Sequence, residues 1–287
     1  MTPRKRYSIP LPNGGALELG ERTLVMGILN ITPDSFADGG LRFDAARAVD
    51  DGLRMIEDGA DILDVGGEST RPGAEPLPAD EELRRVLPVI EKLADHARVP
   101  LSVDTYKEDV AREAVARGAS IVNDISSLQY EERLAQGIAE TGAALVLMHN
   151  RGRSRDMYRE AHYDDVAAEI AQELSDAMSR AVAAGVRREA IVIDPGLGFA
   201  KRAEHSYAAL ASLGSLASLD RPILSGPSRK SFLKHASGDC PPSEREWATA
   251  AAVAASAMLG AHIVRVHGVR EMAQVVRVID AVRAAIR

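Results

Sequence analysis

Eight short β-branched runs recur along this chain, and each ends on its C-terminal side in polar or glycine-rich residues. Seven are Leu24–Asn30, Ile62–Ser69, Leu101–Thr105, Ile121–Ser126, Leu145–Asn150, Ile191–Phe199 and Ile263–His267. The eighth, Pro222–Ser225, leads straight into Gly226-Pro227-Ser228-Arg229-Lys230-Ser231. Chemistry gathered at one end of every strand is the arrangement of a parallel barrel, whose active site is built at its C-terminal face. Run starts near 24, 62, 101, 121, 144, 191, 222 and 262 leave at least 20 residues per unit, enough for a helical crossover. Gly59-Ala60, Gly118-Ala119, Gly142-Ala143 and Gly260-Ala261 each sit between a helical pattern and the next run. Glycine there can take the left-handed conformation that ends a helix and turn the chain tightly into the strand. The fold expected is α/β, a (β/α)8 TIM barrel. A doubly wound sheet with a nucleotide site would show Gly-x-Gly-x-x-Gly after its first strand, whereas this strand runs into Asn30-Ile31-Thr32-Pro33.

Ahead of the barrel, Tyr7–Leu19 reads as a short N-terminal β-hairpin turning through Pro12-Asn13-Gly14-Gly15, placed to cover the N-terminal end of the barrel. No composition break follows, so residues 1–287 are read as one domain, with the hairpin at 7–19 and the barrel at 24–287. Apolar spacing predicts helices over Asp44–Asp58, Asp80–Ala94, Asp164–Ala184 and Val269–Ile286. The last of these is expected to bury Met272, Val276, Ile279 and Val282, and Pro88 is expected to kink the second. Asp50, Asp51, Glu81 and Glu82 read as solvated helix faces.

The formal charge of −7 argues against a nucleic-acid or anionic-membrane partner while leaving room for a small anionic substrate. Cys240 is the one cysteine, so an intramolecular disulfide and a cysteine metal cluster are excluded, which suits a reducing cytoplasm. The basic start, Thr2-Pro3-Arg4-Lys5-Arg6, is not followed by the apolar core of a signal peptide. The longest apolar stretch, Ala248–Leu259, is too short to span a bilayer and reads as a buried helix.

Strand alternation sorts the polar residues by face. Arg265 and His267 project together, whereas His262 lies at the opposite end and on the other face, so the two histidines cannot share a metal. Ser102 and Asp104 form a similar pair; Asn123 shares a face with Ile121 while Asp124 points away. Asp194 ends the run Ile191-Val192-Ile193, where a buried carboxylate is costly unless donors meet it. Any one of Asp104, Asn123 or Asp194 could be a satisfied structural group, Lys230 a solvated loop lysine and His149 a strand terminator. Their convergence at strand ends is the argument for a site. Two loops, Asn30–Gly40 and Gly66–Gly73, combine glycine with hydroxyls, carboxylates and a cation, material for a lid over a phosphorylated substrate and a metal ion.

Taken in order, these motifs resemble the dihydropteroate synthases, folate-pathway enzymes that sulfonamides target. The resemblance rests on Met26–Phe36, Asp64–Gly73, Ser102-Val103-Asp104-Thr105, Asn123-Asp124-Ile125, Leu147-Met148-His149, Asp194–Phe199, Ser228-Arg229-Lys230-Ser231 and Arg265-Val266-His267. It implies condensation of 6-hydroxymethyl-7,8-dihydropterin pyrophosphate with 4-aminobenzoate, releasing pyrophosphate with Mg2+ assistance. By that resemblance Asp104, Asn123, Asp194, Lys230 and Arg265 hold the pterin, with Asp104, Asp194 and Lys230 carrying the catalytic charges. Asn30, Thr70, Arg265 and His267 hold the pyrophosphate, and Asn30 the metal. Phe36, Thr70, Pro72, Phe199 and Ser231 wall the aminobenzoate pocket. A homodimer is implied as well, with the alanine-rich Trp247–Gly260 helix placed either on a partner subunit or on the barrel.

The chain departs from the family in three places. Asn150-Arg151-Gly152-Arg153-Ser154-Arg155 replaces a Met-Gln-Gly-type stretch, Leu197 and Ala200 stand where relatives often carry Phe and Gly, and Pro227 replaces a small residue. A methyltransferase module passing a methyl group to a corrinoid would need the pterin floor but not the lid loops. A non-catalytic paralogue would be expected to lose a strand-end group, and none is lost.

Overall fold

The computed structural model describes residues 4–12, 14–31, 45–69, 73–153 and 158–286. Strands β1 (Tyr7–Pro10) and β2 (Ala16–Leu19) pair antiparallel from Tyr7↔Leu19 to Pro10↔Ala16, forming the expected hairpin. The barrel follows: β3 (Leu24–Asn30), β4 (Ile62–Gly66), β5 (Leu101–Asp104), β6 (Ile121–Asp124), β7 (Ala144–Met148), β8 (Ile191–Asp194), β9 (Leu224–Ser225) and β10 (Ile263–Val266). The sheet order is β8-β7-β6-β5-β4-β3-β10-β9, with every neighbouring pair parallel. β9 meets β8 through the parallel bridge Ile193↔Ile223 and an Ile193 N–H bond of 3.0 Å to the Pro222 carbonyl, which closes the ring.

Helices α1 (Ala45–Glu57), α2 (Ala79–His96), α3 (Glu108–Ala116), α4 (Leu134–Thr141), α5 (Val166–Ala183), α6 (Ala203–Ala211), the single turn α7 (Lys234–Ser237), α8 (Glu246–Met258) and α9 (Val269–Ala285) form the outer layer. α2 runs past Pro88 to His96. Asp165 caps α5, its carboxylate accepting from the Ala167 and Ala168 N–H groups. The four glycine–alanine junctions behave alike: Gly59, Gly118, Gly142 and Gly260 have φ of 110°, 112°, 71° and 110°. At Gly118 a Cβ would lie 2.5 Å from the Ala94 Cβ, so glycine answers both the backbone angle and the close helix contact.

Alternation along the strands divides the core in two. Met26, Ile62, Ile121, Ala144, Val146, Val192, Leu224 and Ile263 point into the barrel and pack on Ile9, Leu11, Leu17 and Leu19 of the hairpin, which therefore plugs the N-terminal end. Val25, Leu29, Leu63, Val65, Val103, Val122, Leu145, Leu147, Ile193, Val264 and Val266 face outward into the helix layer. Polar residues fill the inner face only at the C-terminal end, and that is where the site lies.

Two helix readings need correction. Val282 is 42% exposed and Ile279 only half-buried; the inner face of α9 is completed instead by Val269, Ala273 and Arg283, whose guanidinium reaches the Ala257 and Met258 carbonyls. Glu82 is not a solvated residue of α2 but fully buried, ion-paired with Lys107. Helical phase alone could not reveal that, because its partner comes from the segment after β5. α8 is buried on one side only, through Thr249, Ala252, Val253, Ser256 and Ala257, while Trp247 is 86% exposed.

Candidate active site

The floor of the barrel mouth is a lattice of charge. Arg265, third in β10, reaches across β3 to donate from Nε to Asp64 Oδ2 on β4 and from Nη2 to Asp104 Oδ2 on β5, each at 2.6 Å. Asn123 on β6 donates from Nδ2 to the same Asp64 oxygen at 2.9 Å. The register makes this possible, since Gly66 pairs with Asp104 and Asp104 with Asn123 on successive strands. Burial pushes Asp104 up to about 7; Arg265 opposes the shift and Asp64 adds to it. Burial works against the Arg265 charge, but Asp64 and Asp104 outweigh it and hold the guanidinium above its ordinary range. Asp124 points outward, as its alternation requires, and its carboxylate accepts from Ser126 and Leu128.

The opposite wall comes from β8 and β9. Asp194 ends β8, and its Oδ1 accepts the Gly196 N–H at 2.7 Å. Gly196 has φ of 66°, and a Cβ there would lie 2.0 Å from the His149 carbonyl oxygen, so only glycine fits. Burial raises Asp194 above the ordinary carboxylate value, countered by the Gly196 N–H and by Lys230. Lys230 donates from Nζ to the Leu197 carbonyl at 2.7 Å and sits 3.9 Å above the Phe199 ring centroid. Burial pulls it down to about 7, with Asp194 holding it up. Between the two walls stands Gly226, with Arg265 on one side and Asp194 on the other.

Five expected residues, Asp104, Asn123, Asp194, Lys230 and Arg265, are thus brought to one mouth. Asn30 and His267 stand at its rim, both half-buried. Arg265 turns inward to the carboxylates, whereas Ser228 Oγ lies 2.9 Å from His267 Nδ1 and accepts the His267 N–H at 3.2 Å. Phe199 is buried against Lys230, and Ser231 is exposed with its Oγ 3.5 Å from the Tyr158 hydroxyl. Phe36, Thr70 and Pro72 lie outside the described residues. His262 is at the far end, buried, with Nδ1 accepting the Ile223 N–H. A polar cavity of about 470 Å³ lined by His162, Tyr163, Asp164, Glu169, Arg202 and His205 opens elsewhere and holds none of these groups.

Several contributors escaped the sequence reading. Asp64 carried a signal, a carboxylate interrupting Ile62-Leu63-Asp64-Val65 on the inward face. Glu68 carried less: it accepts from the Tyr106 hydroxyl at 3.0 Å, from Lys107 at 2.5 Å and from the Leu77 N–H at 3.0 Å, tying Leu77 and the segment after β5 to one carboxylate. Arg229 adopts a left-handed φ of 58° and is held by α8, its N–H donating to Thr249 Oγ1 at 3.0 Å and its carbonyl accepting from Arg245 at 2.8 Å. The unusual basic stretch finds partners too. Asn150 donates to the Ile125 carbonyl, Arg151 pairs with Glu169 and Glu173, and Arg153 lies over Tyr130.

This mouth offers carboxylates, an amide, a lysine and an arginine to one flat ligand bearing both donors and acceptors. Similarity to known proteins agrees. The family model described as "Pterin binding enzyme" matches residues 26–267. The dihydropteroate synthase of Bacillus subtilis (strain 168) is 45% identical over 266 residues, 93% of this chain and 90% of that protein. The Xanthomonas albilineans dihydropteroate synthase solved with 4-aminobenzoic acid superposes with a TM-score of 0.89 at 42% identity, covering 99% of both chains. The same enzyme in complex with 7,8-dihydropteroate gives 0.83 at 40% identity, over 92% of this chain and 94% of that one.

Proposed function

The chain belongs to the pterin-binding enzyme family, with dihydropteroate synthases as relatives along nearly its whole length, and from that premise we propose how its residues divide the work. It condenses 6-hydroxymethyl-7,8-dihydropterin pyrophosphate with 4-aminobenzoate, a transferase reaction of folate synthesis that yields 7,8-dihydropteroate and pyrophosphate. The observation that carries the assignment of roles is the pair of facing walls: Arg265 bound to Asp64 and Asp104 on one side, Asp194 with Lys230 on the other.

Asp104, Asn123, Asp194 and Lys230 take the donors and acceptors of the pterin edge, and the planar Arg265 guanidinium lies against the ring. The aniline nitrogen of 4-aminobenzoate attacks the exocyclic methylene carbon as the carbon–oxygen bond to pyrophosphate breaks. The nitrogen then loses one proton to solvent. A neutral aniline is already nucleophilic, so alignment and charge stabilisation, rather than strong general-base catalysis, dominate the barrier. Where bond breaking leads, positive charge develops on the methylene and into the pterin, and the Asp104 and Asp194 carboxylates stabilise it.

Pyrophosphate leaves toward the rim, where Asn30, Thr70, Arg265 and His267 are assigned to it. Among the described residues no three His, Cys, Asp or Glu side chains form a metal cage. Asn30 fits Mg2+ nonetheless, because this ion keeps several waters and takes few protein oxygens alongside substrate phosphates. When bound it neutralises charge on the leaving pyrophosphate. Phe36, Thr70, Pro72, Phe199 and Ser231 form the aminobenzoate pocket. A homodimer is supported by exposed apolar residues on α8 and α9, two helices that pack together: Trp247 at 86%, Val278 at 63% and Val282 at 42%. No helix among the described residues is long and apolar enough to cross a membrane, and we place the reaction in the cytoplasm.

Calorimetric titration with the pterin pyrophosphate tests the pterin assignment. Asp194→Asn removes the charge and turns one acceptor into a donor, so affinity is expected to fall about 10- to 100-fold, the scale of a charged hydrogen bond. Unchanged affinity contradicts the placement.

A further inference from the structure

Lys201 is the largest fully buried side chain among the described residues, 1% exposed, and the chemistry above makes no use of it. Its Nζ donates to the Phe199 carbonyl at 3.0 Å and lies 2.8 Å from His149 Nδ1. His149, also 1% exposed, places Nε2 3.0 Å from Glu173 Oε2. A carboxylate only accepts, so Nε2 carries the proton and Nδ1 presents its lone pair to Lys201. Phe199 O and His149 Nδ1 are the two acceptors that Lys201 Nζ meets among the described residues. Burial pushes Lys201 well below the ordinary lysine range against the pull of Asp194. Burial and then Lys201 push His149 down to about 4, which keeps the imidazole neutral and leaves its Nδ1 lone pair to accept from Lys201. The remaining charged neighbours are Lys230, Glu173 and Arg151, the last also paired with Glu173.

What this buried line holds is the turn after Asp194. Ala200 has a left-handed φ of 47°, a strained angle for a residue with a Cβ. The carbonyls on either side of that strain are both held: Phe199 O by Lys201, and Ala200 O by the Tyr163 hydroxyl at 3.1 Å. The His149 N–H donates to the Asp194 carbonyl at 2.8 Å, so the same histidine also fixes the start of the turn. The turn in turn supplies the two contacts that seat Lys230, the Leu197 carbonyl and the Phe199 ring.

We infer that Lys201, backed by His149 and Glu173, is a positioning residue for the condensation: it fixes the Leu197–Ala200 turn so that Phe199 meets the aminobenzoate side of the pocket and Lys230 the pterin in one geometry. The inference rests on the proposed function and deepens it. Lys201 touches no substrate and acts only through the turn.

Lys201→Met keeps the length and volume of the side chain but has no donor. With active sites counted from the stoichiometry of pterin pyrophosphate binding, the KM for 4-aminobenzoate should rise about tenfold, the loss expected for one buried hydrogen bond and its ordering effect. Affinity for the pterin pyrophosphate should change less than about threefold, because Asp104, Asn123, Asp194 and Arg265 remain. A purely structural role would lower the thermal midpoint and the active fraction while leaving both constants alone; that outcome, or an equal loss of both affinities, overturns the inference. If Lys201→Met does not fold, Glu173→Gln is read instead. It loosens His149 from a partly exposed position and should raise the same KM two- to threefold, and no change in that constant also overturns the inference. Wild-type turnover is measured in parallel, so an inactive wild type refutes the functional reading and not the positioning role.

Discussion

Removing Arg265 should destabilise the protein in a way that depends on pH, and the structure fixes both size and sign. Arg265→Gln leaves Asp64 and Asp104, with side chains 0% and 10% exposed, facing each other without their cation. Breaking a buried pair by deleting one partner costs about 3–5 kcal/mol. At about 2 °C per kcal/mol for a domain of this size, the thermal midpoint should drop by about 6–10 °C near neutral pH. An acid whose folded pKa lies above its unfolded value loses stability as pH rises between the two, because the folded state still holds a proton that the unfolded state releases. Asp104 is such an acid, at about 7 in the folded protein. Loss of Arg265 raises that value further and widens the window. The deficit relative to wild type should therefore be largest at pH 8.5 and shrink at pH 5.5, where protonation of Asp104 relieves the repulsion. Calorimetric melting of both proteins at the two pH values measures it. Equal deficits at both would show that the carboxylates are not the source, and no deficit would show that Arg265 is not their partner.

The pH dependence of kcat/KM should be a narrow bell centred near 7. Asp104 must ionise, and burial holds it at about 7; Lys230 must stay protonated, and burial brings it down to about 7. A plateau from pH 6 to 9 would remove these two groups from the rate. At the other end of the barrel, Ile9 is 0% exposed in the hairpin plug. Ile9→Ala should cost about 2–5 kcal/mol in chemical denaturation while leaving the KM values near wild type, since the plug is remote from the chemistry. A loss below 1 kcal/mol would mean that the hairpin packs loosely.

Much of the architecture was legible because period-2 alternation and the strand-end chemistry agree. Asn123 inward and Asp124 outward followed from one alternation rule, and the Gly59, Gly118, Gly142 and Gly260 junctions from one backbone angle. α3 and α4 are short, nine and eight residues, and gave too little periodicity to mark. What stayed hidden depends on partners distant in sequence. Glu82 looks like any acidic residue in the first turn of a helix until Lys107 is brought over it from another unit. Lys201 gives no local sign that it is buried, because its acceptors are a backbone carbonyl and the histidine that follows β7. Asp64 was visible as a carboxylate within an apolar run, yet its role needed the reach of Arg265 across β3.

The most direct test of the account is product formation. Purified protein is incubated with 6-hydroxymethyl-7,8-dihydropterin pyrophosphate, radiolabelled 4-aminobenzoate and Mg2+, and labelled dihydropteroate is counted. Metal-dependent product from the wild type that disappears in Lys230→Ala is the predicted result. Folded protein that binds the pterin pyrophosphate but yields no labelled dihydropteroate would contradict the assignment.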